Sequence, residues 1–234
     1  MLASGPDTGT ILWTTLRVAL AATLLVAPVG IAAGHALARR EFRGKSLVET
    51  FVALPLVLPP TAIGYLLLAL FARSGLLGER NLGFDPGLLF TWKAAVLAST
   101  VVALPLVART ARTAFEEVDP RLELMARTLG FSRARTLLRV TLPLARRGLL
   151  AAVALGFGRA LGEFGATVIV AGNIPGRTQT LALAIFSEIQ LGNTEAALRL
   201  VAITVGIAFV LMWGVERLLD RRPRMQRAGQ RAAR

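Results

Sequence analysis

Cysteine is absent from this 234-residue chain, histidine and tyrosine occur once each, and only 14 acidic residues face 27 lysines and arginines. The missing cysteine excludes disulfides, thiolate metal sites and thiol chemistry. His35, the lone histidine, sits at the end of an apolar run with no clustered carboxylates beside it, so metal ligation and general acid–base catalysis have no residue set to build on. Glu116, Glu117 and Asp119 read instead as charges at a helix start. No Walker segment occurs either, which leaves the chain without a P-loop for ATP hydrolysis. We expect no catalytic residue, metal site or cofactor in this chain.

What the sequence does have is apolar length. Its 54% hydrophobic content and mean hydropathy of +0.60 exceed what a water-soluble domain carries. A helix needs about 20 apolar residues to cross a hydrocarbon core about 30 Å thick. Five segments qualify: 11–38, 48–72, 88–109, 146–172 and 196–217. The expected fold class is all-α, a polytopic membrane protein with five transmembrane helices, or six if "TLALAIFSEIQLG" (180–192) also crosses. As a helix that segment covers only about 20 Å, which suits a re-entrant or interfacial piece better.

The formal charge of +13 raises the question of a nucleic-acid partner, and the placement of the charge answers it. Twenty of the 27 basic residues fall in three blocks, 39–45, 109–147 and 217–234, separated by the apolar segments. The positive-inside rule puts all three in the cytoplasm, so membrane topology accounts for the charge and no nucleic acid is needed. Five crossings bring the blocks to one side if the N-terminus lies outside and the C-terminus inside. "ALA" (36–38) imitates a signal-peptide cleavage site, but no basic residue precedes the first segment, its apolar stretch is too long, and Arg39 and Arg40 follow directly. We expect one transmembrane domain over 1–218, an external loop over 73–87, and a basic cytoplasmic tail over 219–234 lying against lipid headgroups.

Prolines recur at one depth. "ALPLV" occurs at 53–57 and 103–107, and "LPLA" at 142–145, without flanking similarity. On the expected topology Pro55, Pro105 and Pro143 all lie toward the cytoplasmic side, with Pro59 and Pro60 as a second weak point in the second segment. Each internal proline removes a helix hydrogen bond. Two readings stay open: kinks repaired by neighbouring helices, or a ring of hinges at the mouth of a moving pathway.

The segment 116–148 is too organised for a simple connection. Asp119 suits an N-cap, Pro120 the first helical position, and Gly130 a left-handed stop, giving a helix of about ten residues. Leu122, Met125, Ala126 and Leu129 follow a helical stripe, with Arg121, Glu123 and Arg127 mostly elsewhere. Ser132 suits the cap of a second short helix bearing Arg133, Arg135 and Arg139. Such a knob holds too little apolar surface to fold alone. Either it docks onto another protein, or it lies on the membrane surface.

Leu124-Met125-Ala126, three residues, Gly130, nine residues, and Val140-Thr141-Leu142-Pro143 together resemble the EAA loop of ABC-importer permeases, E-A-A-x3-G-x9-I-x-L-P. Leu124 stands where that pattern has Glu, and Glu123 comes one residue earlier. "LPLVLPPTAIGYLLL" (54–68), "ARTLGFSRARTLLRVTLPLA" (126–145) and "GRALGEFGATVIVAGNIPGRTQTLALAIF" (158–186) resemble the molybdate permease branch of the sulfate, tungstate and molybdate importers. The resemblance, from about residue 10 to 218, implies a type I ABC importer permease fold. It also implies an inner-membrane homodimer that moves an oxyanion by alternating access. Molybdate is the foremost candidate, with tungstate, sulfate or thiosulfate as alternatives. Its implied partners are two cytoplasmic ATPase subunits, which bind ATP and magnesium, and an external oxyanion-binding protein. The knob becomes the coupling helix, with Leu122, Glu123, Met125, Ala126, Leu129, Gly130 and Phe131 at the ATPase. From a different class, a stand-alone channel or secondary transporter leaves the capped knob unexplained.

Arg159 and Glu163 interrupt the fourth segment. Arg159 falls at the middle of it, near the membrane midplane, and i, i+4 spacing lets the two side chains pair. Exposure to lipid costs several kcal/mol, so they should face protein or water. Gly158, Gly162 and Ala166 form a small-residue stripe beside them that allows a helix to approach closely. The pair is either a structural tie between helices, or a site where Arg159 lowers the barrier to a dianion while Glu163 keeps it from becoming a trap.

Overall fold

The computed structural model describes residues 7–219, so the basic tail expected over 219–234 lies, from residue 220 on, outside the described residues. Every regular element among the described residues is helical. Helix α1 (Thr8–Arg39) starts on Asp7, whose carboxylate accepts the Gly9 N–H at 3.3 Å. A short α2 (Lys45–Val57) and α3 (Pro60–Phe71) follow, then the single turn α4 (Glu79–Leu82) and the long α5 (Trp92–Glu116). Next come α6 (Pro120–Thr128), α7 (Arg133–Thr136), a π turn (Leu137–Thr141) and α8 (Leu142–Leu161). The chain ends in α9 (Gly165–Val170), α10 (Leu181–Gln190) and α11 (Thr194–Leu219).

The centre is a parallel pair, α1 and α5. At one end the Arg17 guanidinium lies 3.7 Å from the centre of the Trp92 ring; at the other His35 meets Phe115 edge to face, ring centres 5.0 Å apart. Small side chains let the two backbones close up: Ala19, Ala22, Ala95, Ala98 and Ala111 are fully buried. Gly30 and Gly34 are required at the crossing. A Cβ on Gly34 would sit 2.7 Å from both the Ala108 oxygen and the Arg112 nitrogen, and one on Gly30 2.7 Å from Val107 Cγ1. Helix α8 runs antiparallel to α5, and α11 packs Ile207 and Leu211 into the same core. The ends of α1 and α5 and the start of α8 thus gather at one end of the bundle, with the basic blocks 39–45 and 109–147.

Two expected spans differ. Segment 48–72 is not one helix: α2 and α3 meet at 110°. Pro59 and Pro60 are the reason, since neither has an N–H to give and each forces the residue before it to stay extended, as Leu58 (ψ 138°) and Pro59 (ψ 135°) are. Pro60 then opens α3 at the first position, where the missing N–H costs nothing. Segment 146–172 also breaks. Its helix starts earlier, since Arg133–Leu161 is one continuous run through the π turn, and it stops at Leu161. The separate second helix expected after Ser132 is therefore the first turn of this span. Gly162 and Gly165 weaken the helix beyond Leu161, the chain leaves helical geometry over 162–164, and α9 starts at Gly165. α10 is 10 residues long, about 15 Å, too short to cross; it is tied to α1 where the Leu181 N–H donates to Thr15 Oγ1 at 2.8 Å.

Candidate functional site

The knob and the helix break are the two places where polar residues are positioned by design of the fold. At the knob, Asp119 accepts the Arg121 N–H at 2.9 Å and Pro120 occupies the first turn of α6. The helix closes in a double C-terminal bond: Gly130 (φ 84°) lets its N–H reach the Arg127 oxygen and the Phe131 N–H reach the Ala126 oxygen at 3.1 Å. Ser132 caps the next helix by accepting the Arg135 N–H, and Arg135 lies over the Phe131 ring at 5.2 Å.

The orientation of α6 inverts the usual amphipathic arrangement. Ala126 is buried and Glu123 points toward the bundle, while Leu122, Leu124, Met125 and Leu129 are exposed, Leu129 at 79%. The Glu123 carboxylate is held there by Arg39 Nη2 at 2.9 Å and by the Thr141 hydroxyl at 2.9 Å, so it is engaged within the chain. Of the coupling residues expected from sequence, Leu122, Met125 and Leu129 form an outward crest, Phe131 is half-buried, Gly130 makes the turn, and Glu123 and Ala126 face inward. Leu124 joins the crest. A solvated helix has no use for four exposed apolar side chains in a row with its carboxylate turned in; a helix that meets a partner does.

At the second place, Arg159 is in the last turn of α8 and Glu163 lies just past its end, in the gap before α9. They pair at 2.6 Å, with side-chain exposures of 32% and 1%. The i, i+4 partners are therefore not on one helix face. Glu163 Oε1 accepts the Ala166 N–H at 2.8 Å, so one carboxylate oxygen caps α9 while the other holds Arg159. The expected small-residue stripe is divided by the same break. Ala166 is fully buried against α3, where a Cβ on Gly64 would meet its oxygen at 2.8 Å; a Cβ on Gly158 would meet nothing within 4 Å among the described residues, and one on Gly162 only the Gly158 oxygen at 3.8 Å. Arg159 thus shares an open face with two exposed glycines. Gly165 touches Pro60, which sets the break of α8/α9 against the bend of α2/α3.

The remaining candidates are dispersed. Pro55 is inside α2, Pro105 is buried inside an uninterrupted α5, and Pro143 is in the first turn of α8. At the far end of the bundle from the knob, Arg73, Ser74, Glu79, Arg80 and Gly83 line an open cleft of about 510 Å³. There Arg73 donates to Glu79 at 2.8 Å, and that bond raises the guanidinium pKa above its ordinary value. The sequence reading missed three features: the Glu123 anchor, the Gly30/Gly34 crossing and the cap on α9. Only the crossing had a local signal, the small-xxx-small spacing of "GIAAG" (30–34).

The chain is similar to known proteins over most of its length. The family model described as binding-protein-dependent transport system inner membrane component matches residues 27–225. A molybdenum transport system permease protein of Haemophilus influenzae is 46% identical over 204 residues, covering 85% of this chain and 88% of its own. A sulfate transport system permease protein of Salmonella typhimurium is 33% identical over 207 residues, covering 88% of this chain and 75% of its own. Among solved structures, a bacterial alginate ABC transporter in complex with a periplasmic protein bound to an alginate pentasaccharide aligns with a TM-score of 0.75 at 17% identity, over 91% of this chain and 78% of that one.

Proposed function

Since the chain belongs to the binding-protein-dependent transport system inner membrane component family, we propose that it is the permease subunit of an ATP-driven importer that carries molybdate across the cytoplasmic membrane by alternating access. The observation that carries this reading is the apolar crest of α6, exposed at the end of the bundle where the basic blocks collect. In this account a separate ATPase subunit, holding ATP and magnesium, receives Leu122, Leu124, Met125 and Leu129 in a groove. Its closure moves α6. The arginine-rich end is cytoplasmic, the cleft at Arg73 and Arg80 faces outward toward an oxyanion-binding protein, and the N-terminus starts outside. Identity of 46% to a molybdenum permease against 33% to a sulfate permease favours molybdate, and sulfate stays as the second reading.

The open face of α8 supports a homodimer, in which a second copy stands across a central pathway from Gly158 and Gly162. Arg159 would then border that pathway. Its charge lowers the barrier to a dianion, while Glu163, bonded to it, limits how tightly the anion is held. The proline bends of α2/α3 supply the hinge beside this point.

Co-purification with the cognate ATPase tests the reading. We expect Leu122→Asp, Met125→Asp and Leu129→Asp together to abolish ATPase capture and molybdate uptake while the permease still inserts. A triple variant that binds the ATPase as wild type does contradicts it.

A further inference from the structure

Glu123 is built into a junction that the crest does not explain. One of its carboxylate oxygens gathers three elements: Arg39 Nε at 3.1 Å and Nη2 at 2.9 Å from the last residue of α1, and Thr141 Oγ1 at 2.9 Å from the end of the π turn. Arg39 reaches further, donating from Nη2 to the Val118 carbonyl at 2.8 Å, at the start of the knob. The side chains of Arg39 and Glu123 are 16% and 21% exposed, and Thr141 is buried. Packing does not dictate such a cluster. Apolar residues would fill the same space with no desolvation cost, whereas a partly buried ion pair holds one geometry and is costly to leave half-made.

A π turn lies beside this junction. Between Leu137 and Thr141 the Leu142 N–H reaches back five residues to the Leu137 oxygen, so the span leaves the knob through a turn with one residue too many for an α-helix. Such turns are places where a helix can change register or direction. Thr136, at the start of this one, has a buried hydroxyl with no protein partner, so the present arrangement leaves a polar group unmet. Glu123 is thus fixed on the one rigid element that meets the partner, and bonded to the one irregular turn in the span that leaves it.

We infer that Glu123, with Arg39 and Thr141, is a positioning clamp that transmits displacement of α6 simultaneously to the end of α1 and to the π turn at the base of α8. Through α8 the same displacement reaches Arg159 and the break at Gly162. The inference rests on the importer reading. It predicts that loosening the clamp separates ATP hydrolysis from transport, whereas loss of crest contacts removes both together.

The test uses the complete complex of permease, ATPase and binding protein in proteoliposomes, with molybdate as the cargo. Molybdate accumulated and ATP hydrolysed are measured in the same vesicles. For Glu123→Gln we expect an assembled complex that still hydrolyses ATP when loaded binding protein is added, with molybdate moved per ATP reduced by about tenfold, inside the range of ordinary coupling between sites. Arg39→Gln should give the same ratio, and the double variant no further fall, because both break one junction. A wild-type ratio in the assembled Glu123→Gln complex overturns the clamp. If Glu123→Gln does not assemble, Thr141→Val, which removes only the neutral bond, is held to the same two outcomes. A wild-type complex that no loaded binding protein stimulates overturns the importer reading itself, and the clamp falls with it.

Discussion

Glu163 is 1% exposed and bonded at both oxygens, to Arg159 and to the Ala166 N–H, so removing its partner and removing the carboxylate are different experiments. Arg159→Ala strands a buried carboxylate. That change should cost less than the about 3–5 kcal/mol of a fully buried pair, because the Arg159 side chain is 32% exposed and Glu163 keeps the Ala166 N–H. Glu163→Ala uncaps α9 and frees the arginine. The double variant strands no charge, so thermal unfolding of the purified complex should place it above the Arg159→Ala variant, a non-additivity that independent sites do not show. A double variant whose loss is the sum of the two single losses would leave the pair with no mutual role. Gly34 makes a sterner prediction: Gly34→Val drives a side chain into the α5 backbone, and the expected outcome is loss of folded protein on detergent size exclusion. From sequence, the Arg159–Glu163 pairing was legible because spacing alone brings i and i+4 together. That Glu163 also caps a new helix was not, since nothing local says that the chain turns at Gly162.

Elements with strong end signals were readable and those with conflicting ones were not. Asp119, Pro120 and Gly130 define α6 by local chemistry, and its observed bounds, Pro120–Thr128, follow from them. Asp119→Ala should therefore cost about 1 kcal/mol, visible as faster backbone amide exchange in 120–128. The inward turn of Glu123 and Ala126 was not legible, because nothing within the segment names the group that captures the carboxylate. Here Arg39, 84 residues away along the chain, captures Glu123, and Leu122, Met125 and Leu129 are left exposed while Ala126 is buried. Hydropathy also read α2 and α3 as one span. An apolar count cannot see a bend, although Pro59-Pro60 marked where one would fall. Replacing both with alanine restores two N–H groups and lets a helix run through; straightening it should lower uptake without loss of ATPase capture, which uptake and co-purification measured together would reveal.

At the scale of the whole molecule, the exposed surface is the message. α2 buries none of its residues, and α11 presents Leu198, Val205, Phe209 and Val210 outward, so a large apolar area is exposed, which the bilayer and the proposed homodimer would cover. The two ends differ in charge, and the proposed orientation assigns them to opposite sides. Because the chain has no cysteine, a single one introduced at Ser74 or at Arg127 can be read without background. Ser74→Cys should react with an impermeant maleimide in intact cells, and Arg127→Cys only after the membrane is opened. The parallel run of α1 and α5 was legible from charge blocks and span lengths, whereas partners and cargo are proposed through resemblance. The most direct measurement is ATP hydrolysis by the reconstituted permease–ATPase complex, with binding protein added empty, loaded with molybdate, or loaded with sulfate. This account predicts stimulation by the molybdate-loaded protein above the other two. Stimulation by sulfate-loaded binding protein alone would contradict it.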